Sequence, residues 1–451
     1  MYLKYSGRVK PELLNANTYS LVNYDEFESV NSDFKTLENR ARALYEQIPA
    51  DGKDAYYQLV LHPIEALSNL YSMYFSLAKN KLYAKQGRIT TNALATQVDS
   101  LFKKDESITN YYNKIMAGRK WDHMMDQTHI GYTSWQQPEK NIMPKTVIIE
   151  NTTSNLGLSI EGSDSFWKGK TIVEGSFPTF NVLTKKTHYF EVFNTGNKHI
   201  KFNIKAPSYI LIEKKNDILT DEKRIFLKID WLKAPIGNYN SEVIISAEDG
   251  TKIVLPVAIE NKKPVGITPN LFLADNGYIA MEAPNYSRAI DSRPIFWKTI
   301  VNYGKTTGGV ITTPVTSPVQ LPSENSAHLE YDIFLSEAGT FNLNTFISPT
   351  IDFTGKDGLN FAISVDEETP VMVNISKDYK SDNAWGQSVA NNIKIFKTPL
   401  KFGKPGKHTI KYFMVNPGVV LQKLVLDLGG LKPSFLGPPE SHLSSDEIIS
   451  N

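Results

Sequence analysis

The chain has 451 residues, of which 41% are hydrophobic and 22% charged, a composition typical of a globular protein with two to four domains. Its 49 basic and 48 acidic residues give a net charge of +1, so the chain lacks the basic excess that would indicate a nucleic-acid partner. Cysteine is absent, which excludes disulfides and thiolate chemistry, and no apolar run reaches membrane-spanning length.

Helical periodicity occupies the chain up to about Met116. One apolar stripe recurs at steps of four and three residues, through Val30, Phe34, Leu37, Ala41, Leu44 and Ile48. Asn23 and Glu26 predict a capping box before this helix, and Pro49 predicts its end. Pro63 is expected to kink or divide a second helix, and Gly87 to end it.

Two further helices are predicted between Thr91 and Met116, one around residues 91–101 and one around residues 108–116. The connections between the four helices are short and polar, which favours an antiparallel arrangement. The sequence therefore predicts an antiparallel helical bundle with a junction segment over residues 1–145.

From about Thr146 the hydrophobic period changes to two, which is typical of half-buried strands. Several short strands, with a hairpin turn at Asp249-Gly250, predict an immunoglobulin-like β-sandwich over residues 146–262. After a Pro- and Gly-containing linker, the same alternation predicts a jelly-roll, carbohydrate-binding-like β-sandwich over 271–436 and a tail over 437–451. The expected fold class is therefore multidomain, α plus all-β.

The segment from Lys120 to Pro138 is the most unusual part of the chain, because 19 residues contain two His, two Asp, two Trp, one Tyr and three Gln. Three interpretations are open: a domain junction in which these polar groups satisfy buried backbone, the lining of a sugar site, and a metal site. The last lacks the spacing of the two-histidine helical zinc motif. The candidate substrate contacts in this segment are His123, Asp126, His129, Tyr132 and Trp135.

Glu282, on an early strand of the last domain, and Asp427, on its last strand, are candidate ligands of a calcium ion, which prefers carboxylate oxygens. A solvent-exposed edge carboxylate at Glu282 is the competing interpretation. The run from Asp366 to Glu368 is interpreted as a solvated turn rather than a glycosidase carboxylate pair. No residue of the chain is assigned a catalytic role.

Several segments resemble the C-terminal half of glycoside hydrolase family 115, the xylan α-glucuronidases. The resemblance is carried by these stretches: Arg8 to Leu14, Thr18 to Tyr24, Trp121 to Pro138, His328 to Asp332, Val415 to Lys423, and Leu436 to Ser441. It implies a multidomain enzyme that removes glucuronic acid or its 4-O-methyl form from xylan side chains. In such an enzyme the catalytic carboxylates are expected on a barrel that precedes the bundle.

The chain is thus expected to begin at the end of that barrel, and to be an accessory part that is inactive alone. Whether the chain itself is an enzyme stays open. The implied partners are xylan or acidic xylo-oligosaccharides, a separate chain carrying the catalytic barrel, and a second copy in a homodimer. Neither nucleic acid nor membrane is expected. The last domain is also similar to calcium-binding sandwiches, in which a second Glu follows the first by two positions, whereas this chain has Pro284 there.

The alternative hypothesis is a stand-alone xylan-binding module, in which the exposed aromatic rings of Trp297 and Trp385 would contact the sugar. Core packing of both indoles is the competing explanation. The family analogy implies a secreted or periplasmic protein. The N-terminal residues have no continuous apolar region, so we expect no signal peptide in this chain.

Overall fold

The computed structural model describes residues 1–132, 137–150, 153–175, 177–263, 265–356, 358–377 and 382–445. The candidate residue Trp135 lies outside the described residues. The chain divides into two units. The first unit comprises residues 1–6, 10–180 and 185–261, and the second comprises 7–9, 181–184 and 262–451.

The N-terminal part of the first unit is helical. Its helices are α1 (Tyr2–Ser6), α2 (Glu26–Tyr45), α3 (Lys53–Tyr56), α4 (His62–Gln86) and α5 (Thr91–Lys114), with a π-helical turn at Tyr57–Leu61 and short 3-10 turns at Pro11–Leu13, Ala50–Gly52 and Met116–Arg119. The π-helical turn therefore separates α3 from α4, and it ends two residues before Pro63. Gly87 ends α4 in a left-handed conformation with φ of +68°, as the sequence predicts.

Two details of the helical prediction are wrong. Asp25, in the left-handed region, precedes α2, and the Glu26 carboxylate accepts a hydrogen bond from the Ser20 backbone N–H at 2.8 Å, so Asn23 and Glu26 form no capping box. The two helices predicted between Thr91 and Met116 are one continuous helix, α5. No Pro or Gly interrupts that stretch, so nothing in the backbone forces a break.

The rest of the first unit is a two-sheet sandwich. One sheet has the strand order β2-β1-β5-β9-β7, and the other has the order β3-β11-β10-β6-β8 with β4 paired to β11. The strands are β1 (Leu156–Ile160), β2 (Phe166–Lys168), β3 (Lys170–Ile172), β4 (Phe180–Asn181), β5 (His188–Asn194), β6 (Ile200–Lys205), β7 (Ile210–Ile212), β8 (Asn216–Leu219), β9 (Glu222–Ile229), β10 (Gly237–Ala247) and β11 (Lys252–Asn261). The predicted hairpin at Asp249-Gly250 joins β10 to β11.

The second unit is another sandwich, with sheets β12-β17-β22-β19-β20 and β15-β16-β23-β18-β21; β14 pairs with β17 and β13 with β23. Its strands are β12 (Phe272–Leu273), β13 (Tyr278–Glu282), β14 (Arg288–Ile290), β15 (Phe296–Val301), β16 (Gly308–Thr313), β17 (His328–Leu335), β18 (Gly339–Ile347), β19 (Asn360–Val365), β20 (Val371–Asn374), β21 (Lys394–Phe402), β22 (Gly406–Met414) and β23 (Leu421–Asp427). A 3-10 turn at Ala283–Asn285 follows β13, and helix α6 (Asp382–Asn391) joins β20 to β21.

Each sandwich has its own apolar core, built from the inward-facing residues of its two sheets. The predicted fold class, a helical bundle followed by two β-sandwiches, is confirmed. Residues Glu440 to Ser444, assigned to the tail from sequence, form backbone hydrogen bonds with the second sandwich, from Ser441 N–H to Ala280 and from Ser444 N–H to Leu271. No helix in the described part of the chain is long and apolar enough to cross a membrane.

Candidate functional site

His123 and Asp126 lie in the junction segment that follows α5. The His123 Nδ1 atom is 2.6 Å from Asp126 Oδ2, and the imidazole is 72% exposed. Asn113, near the end of α5, donates to Asp126 Oδ1 at 2.8 Å and accepts from the Met125 backbone N–H at 3.0 Å. The structure thus brings the two predicted residues together, and a buried asparagine on the helix fixes the carboxylate.

His129 points in a different direction, toward the middle of α5. Its Nε2 atom is 3.0 Å from Asp105 Oδ1, and its Nδ1 atom is 3.1 Å from the Gln127 carbonyl oxygen. Both partners accept hydrogen bonds, so the doubly protonated imidazolium satisfies both. Burial lowers the pKa of His129, but the hydrogen bond and charge of Asp105 outweigh it and leave the pKa raised.

A second histidine, His62, lies close enough to Asp105 to interact with it electrostatically and responds in the opposite direction. Burial lowers the pKa of His62 to about 4, although the Asp105 charge acts to raise it. Its ring packs 4.5 Å from the ring of Tyr112. Asp105 itself is buried, and its Oδ2 atom has no hydrogen-bond partner among the described residues. Sequence reasoning missed Asp105 and His62, since neither belongs to a local motif that would mark it as functional.

Further hydrogen bonds are described within this segment and to Asn141, which follows it. The Gln127 amide donates to the Tyr132 hydroxyl at 3.2 Å, and Asn141 Oδ1 accepts the backbone N–H groups of His129 and Ile130 at 2.8 and 3.0 Å. Across the described ranges there is no group of three or more acidic or histidine side chains placed to hold a metal ion. Several of the described contacts in this segment therefore satisfy backbone groups, as the domain-junction interpretation expects.

Arg88, which the sequence did not single out, connects the bundle to the first sandwich. Its guanidinium donates to Glu191 Oε2 on β5 and to Ser159 Oγ on β1, both at 2.8 Å, and only 1% of the residue is exposed. The aromatic rings of Tyr83 and Phe193 lie 4.0 and 4.6 Å from the guanidinium carbon. Its two sheet partners are 71 and 103 residues away in sequence, so no local pattern indicates this contact.

Glu191 also accepts from Arg224 on β9 at 3.1 Å, and Arg224 in turn donates to Glu28 of α2 at 2.9 Å. Burial raises the pKa of Glu191, but the charges and hydrogen bonds of Arg88 and Arg224 lower the pKa by more than burial raises it, so the net shift is downward. The carboxylate is therefore held ionised between two arginines, a structural rather than a proton-transferring arrangement.

The two tryptophans predicted as sugar contacts lie on separate elements of the second sandwich. Trp297 is on β15, an edge strand, where its indole N–H donates to the Ile290 carbonyl at 3.1 Å and its ring centroid is 6.1 Å from that of Tyr412. Trp385 is half-buried on α6, which leads into β21 at the opposite edge of the same sheet. The structure does not bring the two indoles together as one platform.

The predicted calcium ligands are also apart. In the antiparallel pairing of β13 with β23, Glu282 lies opposite Lys423 and Asp427 lies opposite Tyr278. This offset of four positions separates the two carboxylates by roughly 13 Å along the strand. Asp427 accepts the backbone N–H of Gly429 at 2.9 Å.

The Glu282 carboxylate is already saturated. Oε1 is 2.8 Å from Lys423 Nζ, and Oε2 accepts hydrogen bonds from the hydroxyls of Thr306 and Thr307 at 2.5 and 2.8 Å. Both Glu282 and Lys423 are 3% or less exposed. Burial raises the pKa of Glu282, but Lys423 and the two hydroxyls reverse the effect and lower it. An ammonium group thus occupies the place beside the carboxylate, and Glu282 and Asp427 as placed do not fit a shared cation.

Comparison with protein families finds a match for the second sandwich. Residues 271–440 match the model of the glycosyl hydrolase family 115 C-terminal domain. This segment is similar to the C-terminal domain of that family. The resemblance of the stretches His328 to Asp332 and Val415 to Lys423 is thereby confirmed, while the stretches before residue 271 lie outside the match.

Among solved structures, a family 115 4-O-methyl-α-glucuronidase described as specific for decorated arabinogalactans aligns with 94% of this chain, at 12% identity and a TM-score of 0.48. The chain spans 37% of the length of that protein. A family 35 carbohydrate-binding module from Clostridium thermocellum also aligns with this chain, at 14% identity and a TM-score of 0.23. The alignment covers 33% of this chain and 97% of the module.

A β-(1,4)-mannanase of Podospora anserina with a family 35 module aligns with 35% of this chain and 29% of its own, at 12% identity and a TM-score of 0.21. No curated protein sequence matches the chain.

Proposed function

We propose that this chain is the accessory, non-catalytic C-terminal part of a family 115 α-glucuronidase that acts on xylan carrying glucuronic or 4-O-methylglucuronic acid. The observation that carries the proposal is the match of residues 271–440 to the family 115 C-terminal domain model. The catalytic barrel would be supplied by a separate polypeptide segment or chain, and the sandwiches would support it and contact the polymer.

The arrangement of carboxylates supports a non-catalytic role. A retaining glycosidase needs one ionised carboxylate and one protonated carboxyl about 5 Å apart, both reaching the sugar. In the second sandwich, Glu440 has a pKa raised by burial and accepts the Glu282 backbone N–H at 2.8 Å, while the pKa of Glu282 is lowered. Glu282 is nevertheless buried and bonded to Lys423, Thr306 and Thr307, so no sugar carbon can reach it.

The test is release of glucuronic acid from glucuronoxylan by the purified chain, together with its retention on a glucuronoxylan gel. We expect no release above a blank preparation, and retention greater than that on an unsubstituted matrix. Release above the blank would contradict the non-catalytic assignment. Free passage through the gel would contradict a polymer-contacting role.

The stand-alone binding module differs from this proposal in needing no catalytic partner. The half-buried Trp385 on α6 is the side chain that favours it. Trp385→Ala should reduce retention on the gel if α6 forms a binding face, and unchanged retention would remove this alternative.

A further inference from the structure

The first sandwich has an open groove that none of the residues predicted from sequence occupies. It lies along β7, the edge strand of its sheet, and the neighbouring strand β9, and has a volume of about 690 Å³. That volume is in the range of small-molecule sites, about 300–1,000 Å³. Leu211 on β7 pairs with Lys228 on β9, and Phe226 lies two positions before Lys228, so these three side chains share the outer face of the sheet.

Phe226 provides an aromatic platform in this groove. It is 51% exposed, which is unusual for a phenylalanine on a strand next to a well-packed core. Its ring meets the ring of Tyr189 edge to face, with centroids 6.0 Å apart. Tyr189 is itself fixed, since its hydroxyl bonds to Asp25 at 2.5 Å and the Arg224 guanidinium stacks 4.1 Å from its ring centroid. A rigid neighbour limits the orientations that Phe226 loses on binding.

The charges around the platform are unbalanced in favour of cations. Lys228 and Lys215 line the groove and form no ion pair with a described residue, whereas the nearby Lys223 and Lys214 are both paired with Asp217. Glu213 is the one acidic residue of the lining. The groove therefore offers two lysines without a described ion pair, against one glutamate, beside an exposed aromatic ring and an exposed leucine.

We propose that this groove binds a uronic acid-bearing oligosaccharide, with a sugar ring stacked on Phe226 and the uronate carboxylate near Lys228 or Lys215. The apolar face of a pyranose suits an aromatic ring, and a carboxylate complements the unpaired lysines. The choice of a saccharide as occupant rests on the proposed function; the demand for an acidic ligand comes from the lysines. A neutral xylo-oligosaccharide would leave both ammonium groups without a partner.

The test measures binding of acidic and neutral xylo-oligosaccharides of equal length to the full chain by titration calorimetry. Phe226→Ala should weaken binding of both ligands, by roughly tenfold for the acidic one. Lys228→Met should weaken the binding of the acidic ligand several-fold and leave the affinity for the neutral ligand unchanged. Phe166→Ala is the matched control, because Phe166 is 38% exposed on β2, the other edge strand of the same sheet, and also lies beside a lysine.

A second readout locates the ligand without relying on a variant. Acetylation of Lys215 and Lys228, followed by mass spectrometry, should slow in the presence of the acidic oligosaccharide, while Lys205 on β6 should react unchanged. If the chain binds the polymer but both groove variants behave as wild type, the groove is not the site and the proposed function is unaffected. If the chain passes freely through the glucuronoxylan gel but the two lysines are protected by the free oligosaccharide, the groove stands and the polymer-contacting role fails. Equal acetylation with and without ligand would overturn the groove.

Discussion

The two units each bury an ion pair, but the pairs differ in what they connect. Glu282 and Lys423 face each other on adjacent strands of one sheet, so their pairing follows from the register of β13 and β23. Arg88 and Glu191 belong to a helix end and a sheet, which nothing but tertiary packing brings together. The first pair is a part of one sandwich, and the second fastens a bundle to a sandwich.

This difference predicts different consequences when a partner is removed. Loss of the Glu282–Lys423 pair should lower the stability of one sandwich as a whole, because a core residue of a cooperative domain is affected. Loss of Arg88 should weaken the coupling between the bundle and the first sandwich while leaving each core intact. The four predictions that follow test this comparison, beginning with the largest expected effect.

Lys423→Met leaves the Glu282 carboxylate buried without its cation. We expect the second unit to lose about 3–5 kcal/mol of unfolding free energy, since an unpaired buried charge has no compensating partner. Urea unfolding of the full chain would measure the loss. The double variant Glu282→Gln with Lys423→Met removes both charges and should recover part of the stability. If the single and double variants unfold at the same urea concentration, the pair contributes nothing through its charge.

Arg88→Met removes three hydrogen bonds of a buried guanidinium, but Glu191 keeps its bond to Arg224. The expected loss is therefore smaller, about 2 kcal/mol. Helix content by circular dichroism and aromatic fluorescence should follow separate unfolding transitions in the variant. Arg42→Met is the control, because the described ion pairs of Arg42, with Glu38 and Glu65, stay within the bundle. Coincident transitions for Arg88→Met would show that Arg88 does not couple the two parts.

The contrast also shows what the sequence could and could not predict. Alternation of apolar residues predicted strands such as β17, β18 and β22 because each strand buries one face and the period of two is local. Gly87 and Pro63 likewise mark helix boundaries through their own backbone restrictions. The single helix α5 was divided in error, because gaps in an apolar stripe do not require a break in the backbone.

The candidate site was less predictable than the fold. His123 and Asp126 are three residues apart, so their pairing was within reach of spacing arguments. The partner of His129, Asp105, is 24 residues away on α5. Lys423 could not be assigned to Glu282 from sequence, since the partner depends on the register of two strands 141 residues apart. Charge partners of this kind are set by tertiary packing rather than by any local pattern.

Tyr189→Phe tests a weaker contact of the interface that Arg88 forms. The variant removes the hydroxyl that bonds to Asp25 of the bundle and keeps the ring that packs on Phe226 and Arg224. We expect a loss of about 1 kcal/mol, the usual contribution of one hydrogen bond. Tyr209→Phe is the matched control, because its hydroxyl bonds to Ser241 at 3.1 Å within the sandwich. Only Tyr189→Phe should change the coupling between helix and aromatic signals, and an equal change in both would contradict this prediction.

The smallest effect concerns how the two units respond to pH. The pKa of Glu282 is lowered on folding, so its contribution is present above the ordinary carboxyl pKa and is lost as pH falls through the folded value. The pKa of His129 is raised, so its contribution is fully present below the ordinary histidine pKa of about 6.5 and is lost as pH rises through the folded value. The imidazole is 32% exposed, and we expect the contribution to be below about 1 kcal/mol.

The difference in unfolding free energy between wild type and His129→Gln, measured from roughly pH 5 to 8, should therefore shrink as pH rises. The 72% exposed His123, changed to Gln, serves as the control. If the difference in unfolding free energy between wild type and His129→Gln grows with pH, Asp105 does not stabilise the charged form of His129. The interaction would then be one between uncharged groups.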